Sequence, residues 1–165
     1  MKELIVRAVS GLLYAALFIL SLQSQHALTA LFFIFGLICM IEFNRLIREK
    51  NVISYIIFIV LYLAFAYWQL VIKTTEGYDE AIQILHVLTI FVQLFLIRDL
   101  FSEKKLPQFF SKRLINTTFY LSSAFIFIIL IANYYDTFNP NILLGSFILV
   151  WVNDSFAYLV GKNFG

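Results

Sequence analysis

Residues 52–72, VISYIIFIVLYLAFAYWQLVI, decide the fold class of this chain. The stretch holds no charged residue, and its length is about the 20 residues that an α-helix needs to cross the hydrocarbon core of a bilayer. Lipid offers no partner to an open backbone, and the stretch lacks the polar alternation of a membrane β-barrel strand. The pattern therefore predicts a transmembrane helix.

The rest of the chain has the same character. Of its 165 residues, 62% are hydrophobic and 13% are charged, far from the averages of soluble domains, and the net charge of +2 is too small to indicate nucleic acid binding. Six apolar stretches of suitable length lie at residues 4–22, 27–43, 52–72, 81–101, 118–135 and 142–161. We therefore expect an all-α, polytopic integral membrane protein with six transmembrane helices, forming a single helical domain over residues 1–165.

The basic residues indicate how these helices cross the membrane. All but Lys73 of the 12 lysine and arginine residues lie at the start of the first helix or at or beyond the ends of the second, fourth and sixth. Because positive side chains stay on the cytoplasmic side, both termini are predicted to face the cytoplasm, in the inner membrane if the source is bacterial. The basic start could also belong to a signal peptide, but it lacks small residues at the positions that a signal peptidase requires, so a retained anchor is expected.

A carboxylate interrupts the last apolar stretch, within WVNDSFAYLVGKNFG at residues 151–165. If Gly161 lies at the cytoplasmic boundary, Asp154 lies roughly 10 Å inside the hydrocarbon, where an ionisable side chain needs a partner or a function. The i, i+3, i+4, i+7 spacing puts four residues on one helix face: Asp154, Ala157, Tyr158 and Gly161. That face is either a packing seam of small residues, in which Asp154 hydrogen-bonds a neighbouring helix, or a functional site.

Other polar residues give weaker indications of a functional site. Glu42 lies at the end of the second helix, where an ion pair with Arg45 or Arg48 is expected. His86 has no second histidine or cysteine beside it at the spacing of metal ligands, so it is assigned no role, and Cys39 is expected to pack in an apolar run.

The segment NDSFAYLVGKNFG, residues 153–165, resembles a stretch in the middle of the phosphatidate cytidylyltransferases, also called CDP-diacylglycerol synthases. The matching positions are Asn153, Asp154, Ala157, Tyr158, Gly161, Lys162, Phe164 and Gly165. The basic start and the EFNRL segment, residues 42–46, also resemble the amino-terminal half of that family. The family's carboxyl-terminal signature of serine, lysine-arginine and lysine-aspartate does not occur. We therefore expect the chain to be the amino-terminal part of a longer enzyme, inactive on its own.

That resemblance implies an enzyme that transfers a cytidylyl group from CTP to the phosphate of phosphatidate, giving CDP-diacylglycerol and pyrophosphate for phospholipid synthesis. The reaction brings two anions together, so their negative charge has to be neutralised by Mg²⁺ held by a carboxylate and by a basic side chain. Asp154 is the expected catalytic carboxylate and metal ligand, and Lys162 the expected catalytic phosphate contact. Substrate binding is assigned to Asn153, Tyr158, Gly161 and Gly165. The implied partners are CTP, phosphatidate and membrane lipids, and association of identical chains stays open.

Three other interpretations stay open. A CTP-dependent polyprenol or dolichol kinase carries a similar stretch, but its acceptor is an alcohol, so it would need a base and would release CDP. A small transporter would use Asp154 to bind an ion and would place further polar residues at the same depth. An assembly protein would use the helices only to pack against a partner.

Overall fold

A computed structural model of the chain describes residues 2–46, 52–72, 76–101, 116–133 and 137–164. The α-helices in these residues are α1 (Lys2–Ser21), α2 (Gln25–Leu46), α3 (Ile53–Tyr67), α4 (Tyr78–Phe101), α5 (Ser122–Ala132) and α6 (Pro140–Phe164). A π-helical turn at Trp68–Ile72 extends α3, and another at Asn116–Leu121 leads into α5. No strand occurs in the described ranges, so the prediction of an all-α fold is confirmed there.

The lengths of the helices agree with an integral membrane protein. Four segments are long and apolar enough to cross a membrane: Gln25–Leu46, Ile53–Ile72, Tyr78–Arg98 and Pro140–Lys162. The apolar parts of the first and fifth predicted helices are shorter, at Val9–Ser21 and Phe119–Ala132. Six crossings and cytoplasmic termini therefore stay predictions. One reason for the shorter fifth segment is that the predicted stretch includes residues 134 and 135, which lie outside the described residues.

The start of α6 is fixed by Asn139 and Pro140. Pro140 occupies the first helical position, where the missing N–H would have no helical partner in any case. The backbone N–H of Asn141 donates to the Asn139 side-chain Oδ1 at 3.2 Å, which caps the helix. The Asn139 N–H in turn donates to the Ala132 carbonyl at 2.8 Å. These bonds join the end of α5 to the beginning of α6.

Polar side chains join the helices near both ends of α2. At its beginning, Gln25 Nε2 donates to Asn133 Oδ1 at 2.7 Å, just past the end of α5. Near its carboxyl end, Asn44 Nδ2 donates to Ser54 Oγ at 3.0 Å, in the first turn of α3. α2 therefore runs antiparallel to both α3 and α5.

The core lies where α2, α3 and α5 meet. Phe32 of α2, Phe58 and Tyr62 of α3, and Ile126 of α5 are almost fully buried there. A Cβ on Gly36 of α2 would overlap the Phe58 ring. The close approach of α2 and α3 therefore requires glycine at this position.

Candidate functional site

The residues predicted as a site lie on the second half of α6. The first half packs on the bundle, since Leu143 is buried and the Phe147 ring lies 4.3 Å, centroid to centroid, from the Phe18 ring of α1. From Ile148 to Lys162 every residue is exposed. This part of the helix is therefore open to lipid or to protein beyond the described residues.

α6 continues without a break through Asn153, Asp154, Tyr158 and Lys162. Asp154 and Tyr158 are four residues apart and lie on one helix face, as the spacing predicted. Asp154 and Lys162 are about 12 Å apart along the helix axis, so they do not form an ion pair with each other.

Of the two glycines predicted to bind substrate, only Gly161 lies in the part of the chain that the structure describes. Gly165 lies outside the described residues. Gly161 is exposed, and a Cβ added to it would meet no atom within 4 Å. Among the described residues, no helix packs against the small-residue seam that was the alternative interpretation of this face. The surface beside Gly161 is open to a ligand.

The Asp154 carboxylate is exposed, and it makes no hydrogen bond or ion pair with another described residue. The described residues also contain no group of three or more histidine, cysteine or acidic side chains that could hold a metal ion. Mg²⁺ commonly takes only one or two protein carboxylates and completes its shell with water and substrate phosphates. Asp154 therefore fits the role of a single protein ligand, although the described residues do not form a metal site by themselves.

A second carboxylate lines a cavity that also borders the beginning of this segment. Glu42 of α2 and Trp151 of α6 both line a cavity of about 470 Å³ between α1, α2, α5 and α6. Trp151 is one helical turn before Asp154. Sequence analysis missed this relationship because Glu42 and Trp151 are far apart along the chain, and the only signal was the resemblance of the EFNRL segment.

The expected ion pair of Glu42 is not found in the described part of α2. Glu42 and Arg45 are both exposed and form no ion pair with each other, and Arg48 lies outside the described residues. The carboxylate of Glu42 is therefore not neutralised by Arg45.

Two residues that were assigned no site role take part in packing or cavity walls. The His86 ring stacks on the Phe127 ring, with centroids 4.5 Å apart and an interplanar angle of 24°. Cys39 is half-buried and lines the same cavity as Glu42.

Comparison with known proteins bears on the whole chain. A family model described as the cytidylyltransferase family matches residues 5–165. No curated protein and no solved structure gave a significant match. The resemblance based on residues 153–165 is thus confirmed by a match that also includes the helices before them.

Proposed function

This chain belongs to the cytidylyltransferase family, and on that premise we propose that it transfers a cytidylyl group from CTP to phosphatidate at the cytoplasmic face of a membrane. The family supports CTP-dependent transfer in general, and the membrane-spanning helices support a lipid acceptor. One observation carries the choice of site: the carboxylate of Asp154 is exposed within α6 and is paired with no other residue that the structure describes, and Lys162 follows toward the end of that helix.

The chemistry of the acceptor suits the residues at this site. The second pKa of a phosphate monoester is about 6, so the phosphate of phosphatidate is largely dianionic near neutral pH. One of its oxygens attacks the α-phosphorus of CTP. The new P–O bond forms while the bond from the α-phosphorus to the oxygen bridging to the β-phosphate breaks, and pyrophosphate leaves with that electron pair. No proton has to be removed from the acceptor, so the site needs charge neutralisation more than a base.

Different residues of α6 contribute to charge neutralisation and to substrate binding. Lys162 donates to phosphate oxygens and reduces the repulsion between the two anions. Asn153 and Tyr158 offer further hydrogen-bond donors, while Gly161 and Gly165 leave space for close approach of the substrate. Asp154 would hold Mg²⁺, which would supply the remaining charge neutralisation.

The predicted topology puts this site where both substrates can reach it. CTP is soluble in the cytosol, and the phosphate of phosphatidate lies at the membrane surface. The positive-inside rule places the carboxyl end of α6 on the cytoplasmic side. Because the second half of α6 is exposed, we propose that further protein, from a longer form of this polypeptide or from another copy of it, covers the helix and completes the site.

The position of the label in CTP tests this proposal against the kinase alternative. The full-length protein in detergent with Mg²⁺ is offered CTP labelled at either the α- or the γ-phosphate, with phosphatidate or a polyprenol as acceptor. Cytidylyl transfer moves only the α-label into the lipid and requires phosphatidate. A kinase moves only the γ-label and requires the polyprenol. Lipid labelled from γ-CTP, or no labelled lipid at all, would overturn the proposal.

A matched pair of variants links the activity to the site. Asp154→Asn removes the carboxylate proposed to act, and Asp79→Asn makes the same change on an exposed residue in the first turn of α4. We expect only Asp154→Asn to abolish labelling. Equal activity of the two variants would remove Asp154 from the site.

A further inference from the structure

The cavity that Glu42 and Trp151 share has the size of a ligand site. Its volume of about 470 Å³ lies within the range of about 300–1,000 Å³ that is typical of small-molecule pockets. Gly11 and Ala15 of α1 form part of its wall. A Cβ on Gly11 would meet no atom within 4 Å, so the space exists partly because this position has no side chain.

The deep end of the cavity is a wall of aromatic rings. The Phe18 ring lies 6.1 Å from the Phe32 ring and 4.3 Å from the Phe147 ring, measured between centroids. Trp151 stands edge-on to Phe18, at 5.9 Å and 84°. Rings in mutual contact lose little conformational freedom when a ligand binds, so this wall is a preformed apolar surface.

The cavity is elongated along the helices. On α2 its lining runs from Phe32 to Glu42, which is roughly 15 Å of helix axis. On α1 it runs in the opposite sense, from Phe18 back to Gly11, which is roughly 10 Å. The space therefore extends from the middle of the bundle toward the end at which Glu42 lies.

Charge gives the cavity a polarity. Among the described residues that line it, only Glu42 is charged, and it lies at the end opposite the aromatic wall. Tyr14 and Ile38, which line the cavity, are 59% and 48% exposed, so the space is accessible from outside the bundle. An occupant with an apolar body fits this arrangement, and an anionic headgroup at the Glu42 end would need a cation between it and this carboxylate.

We propose that the cavity binds one acyl chain of phosphatidate and thereby holds the lipid phosphate near Asp154. This inference rests on the proposed function and names how its lipid substrate is held. Trp151 connects the two features, because it lines the cavity and lies one turn before Asp154 on α6. A lipid with its chain against the aromatic wall has its headgroup on the side of the Glu42 end, toward which α6 continues to Asp154 and Lys162.

The shape and lining of the cavity suit a hydrocarbon chain. Over roughly 15 Å of α2, Glu42 is the only charged side chain among the described residues that line it. A single acyl chain is narrow and unbranched, so it suits an elongated apolar cleft. The surrounding helices are long and apolar enough to lie in a membrane, where such chains are the solvent.

Photolabelling of the full-length protein tests the binding site without requiring catalysis. Vesicles of phosphatidylcholine with the reconstituted protein receive phosphatidate that carries a diazirine in the middle of one acyl chain, and labelled peptides are identified by mass spectrometry. We expect labelling of α1 and α2 around Gly11 and Ile38, and competition by unlabelled phosphatidate. A phosphatidylcholine probe with the same diazirine chain should label these positions less. Labelling only elsewhere, or equal labelling by both probes, would overturn the inference.

A cavity-filling variant gives a second readout. In Gly11→Leu the added side chain should displace about two methylene groups, which raises the KM for dioleoyl phosphatidate about tenfold and leaves the KM for dihexanoyl phosphatidate unchanged. The control is Gly145→Leu, made in α6 at a glycine whose Cβ would also meet no atom within 4 Å and which does not line the cavity. Equal KM values in Gly11→Leu and the wild type would overturn the inference.

These results separate the inference from the reaction on which it rests. Specific labelling of the cavity without any cytidylyl transfer would support the chain site and remove the proposed reaction. Cytidylyl transfer without labelling of the cavity would support the reaction and remove the chain site.

Discussion

Gly36 of α2 lies so close to Phe58 of α3 that a Cβ on Gly36 would overlap the ring. Phe58 is fully buried, and its ring stacks on Phe33 with centroids 5.9 Å apart and an interplanar angle of 12°. Tyr62 contacts both of these rings. The Phe58 ring therefore has little room to move away, and residue 36 controls how closely α2 and α3 approach.

Gly36→Ala should destabilise this contact. Overpacking a well-packed site typically costs about 1–3 kcal/mol, and here the Phe58 ring cannot shift without disturbing Phe33 and Tyr62. The measurement is unfolding in detergent by titration with SDS, followed by circular dichroism. Gly145→Ala is the control, since its Cβ meets no atom within 4 Å. A Gly36→Ala protein as stable as this control would show that the two helices are not in close contact.

The hydrogen bond between Gln25 and Asn133 should contribute measurably to stability. Asn133 is buried and also donates its Nδ2 to the Ile129 carbonyl at 2.8 Å, so its Oδ1 is held toward Gln25. Hydrogen bonds between transmembrane helices contribute about 0.6 kcal/mol on average, up to about 1.7. Gln25→Ala should lower the free energy of unfolding by an amount in this range, while Gln23→Ala at an exposed position should not. Additive effects of Gln25→Ala and Asn133→Ala in a double-mutant cycle would contradict this coupling.

The class of the fold follows from the sequence because membrane insertion depends on local properties. A charge-free stretch such as residues 52–72 can span hydrocarbon only as a helix, and the structure has α3 and its π-helical turn at Ile53–Ile72. Hydropathy does not determine which helices touch. Gly36 and Phe58, or Gln25 and Asn133, come together through shape and hydrogen bonding between separate helices, and no local pattern contains that information.

The candidate site, like the fold, could be predicted from the sequence only in part. A helical period was enough to place Asp154 and Tyr158 on one face of α6. It did not reveal that this part of α6 is exposed or that Trp151 borders a cavity shared with Glu42. Such relationships depend on where α6 packs against α1 and α2, and the apolar residues that determine the packing differ little from those that face lipid.

Asp154→Asn should reduce catalysis and leave stability unchanged. Removing one group that stabilises transition-state charge typically lowers kcat about 100-fold or more. The exposed Asp154 carboxylate makes no hydrogen bond or ion pair with another described residue, so its replacement should not unfold the protein. Steady-state kinetics of the full-length enzyme with saturating Mg²⁺ and unfolding in SDS give the two quantities. A loss of stability with normal turnover per folded molecule would instead identify Asp154 as a packing residue.

Lys162→Gln should weaken substrate binding more than it lowers the maximal rate. A hydrogen bond to a charged group contributes about 1.5–3 kcal/mol, so the KM for CTP or for phosphatidate should rise about tenfold or more, and the substrate whose KM rises identifies the phosphate that Lys162 contacts. Arg98→Gln is the matched control, because Arg98 is also an exposed basic residue in the last turn of a membrane-spanning helix. If both variants raise the KM equally, the positive charge acts only by attracting anions to the membrane surface. A selective effect of Lys162→Gln places this side chain at the reacting phosphates, since a general surface potential would be lowered equally by either substitution.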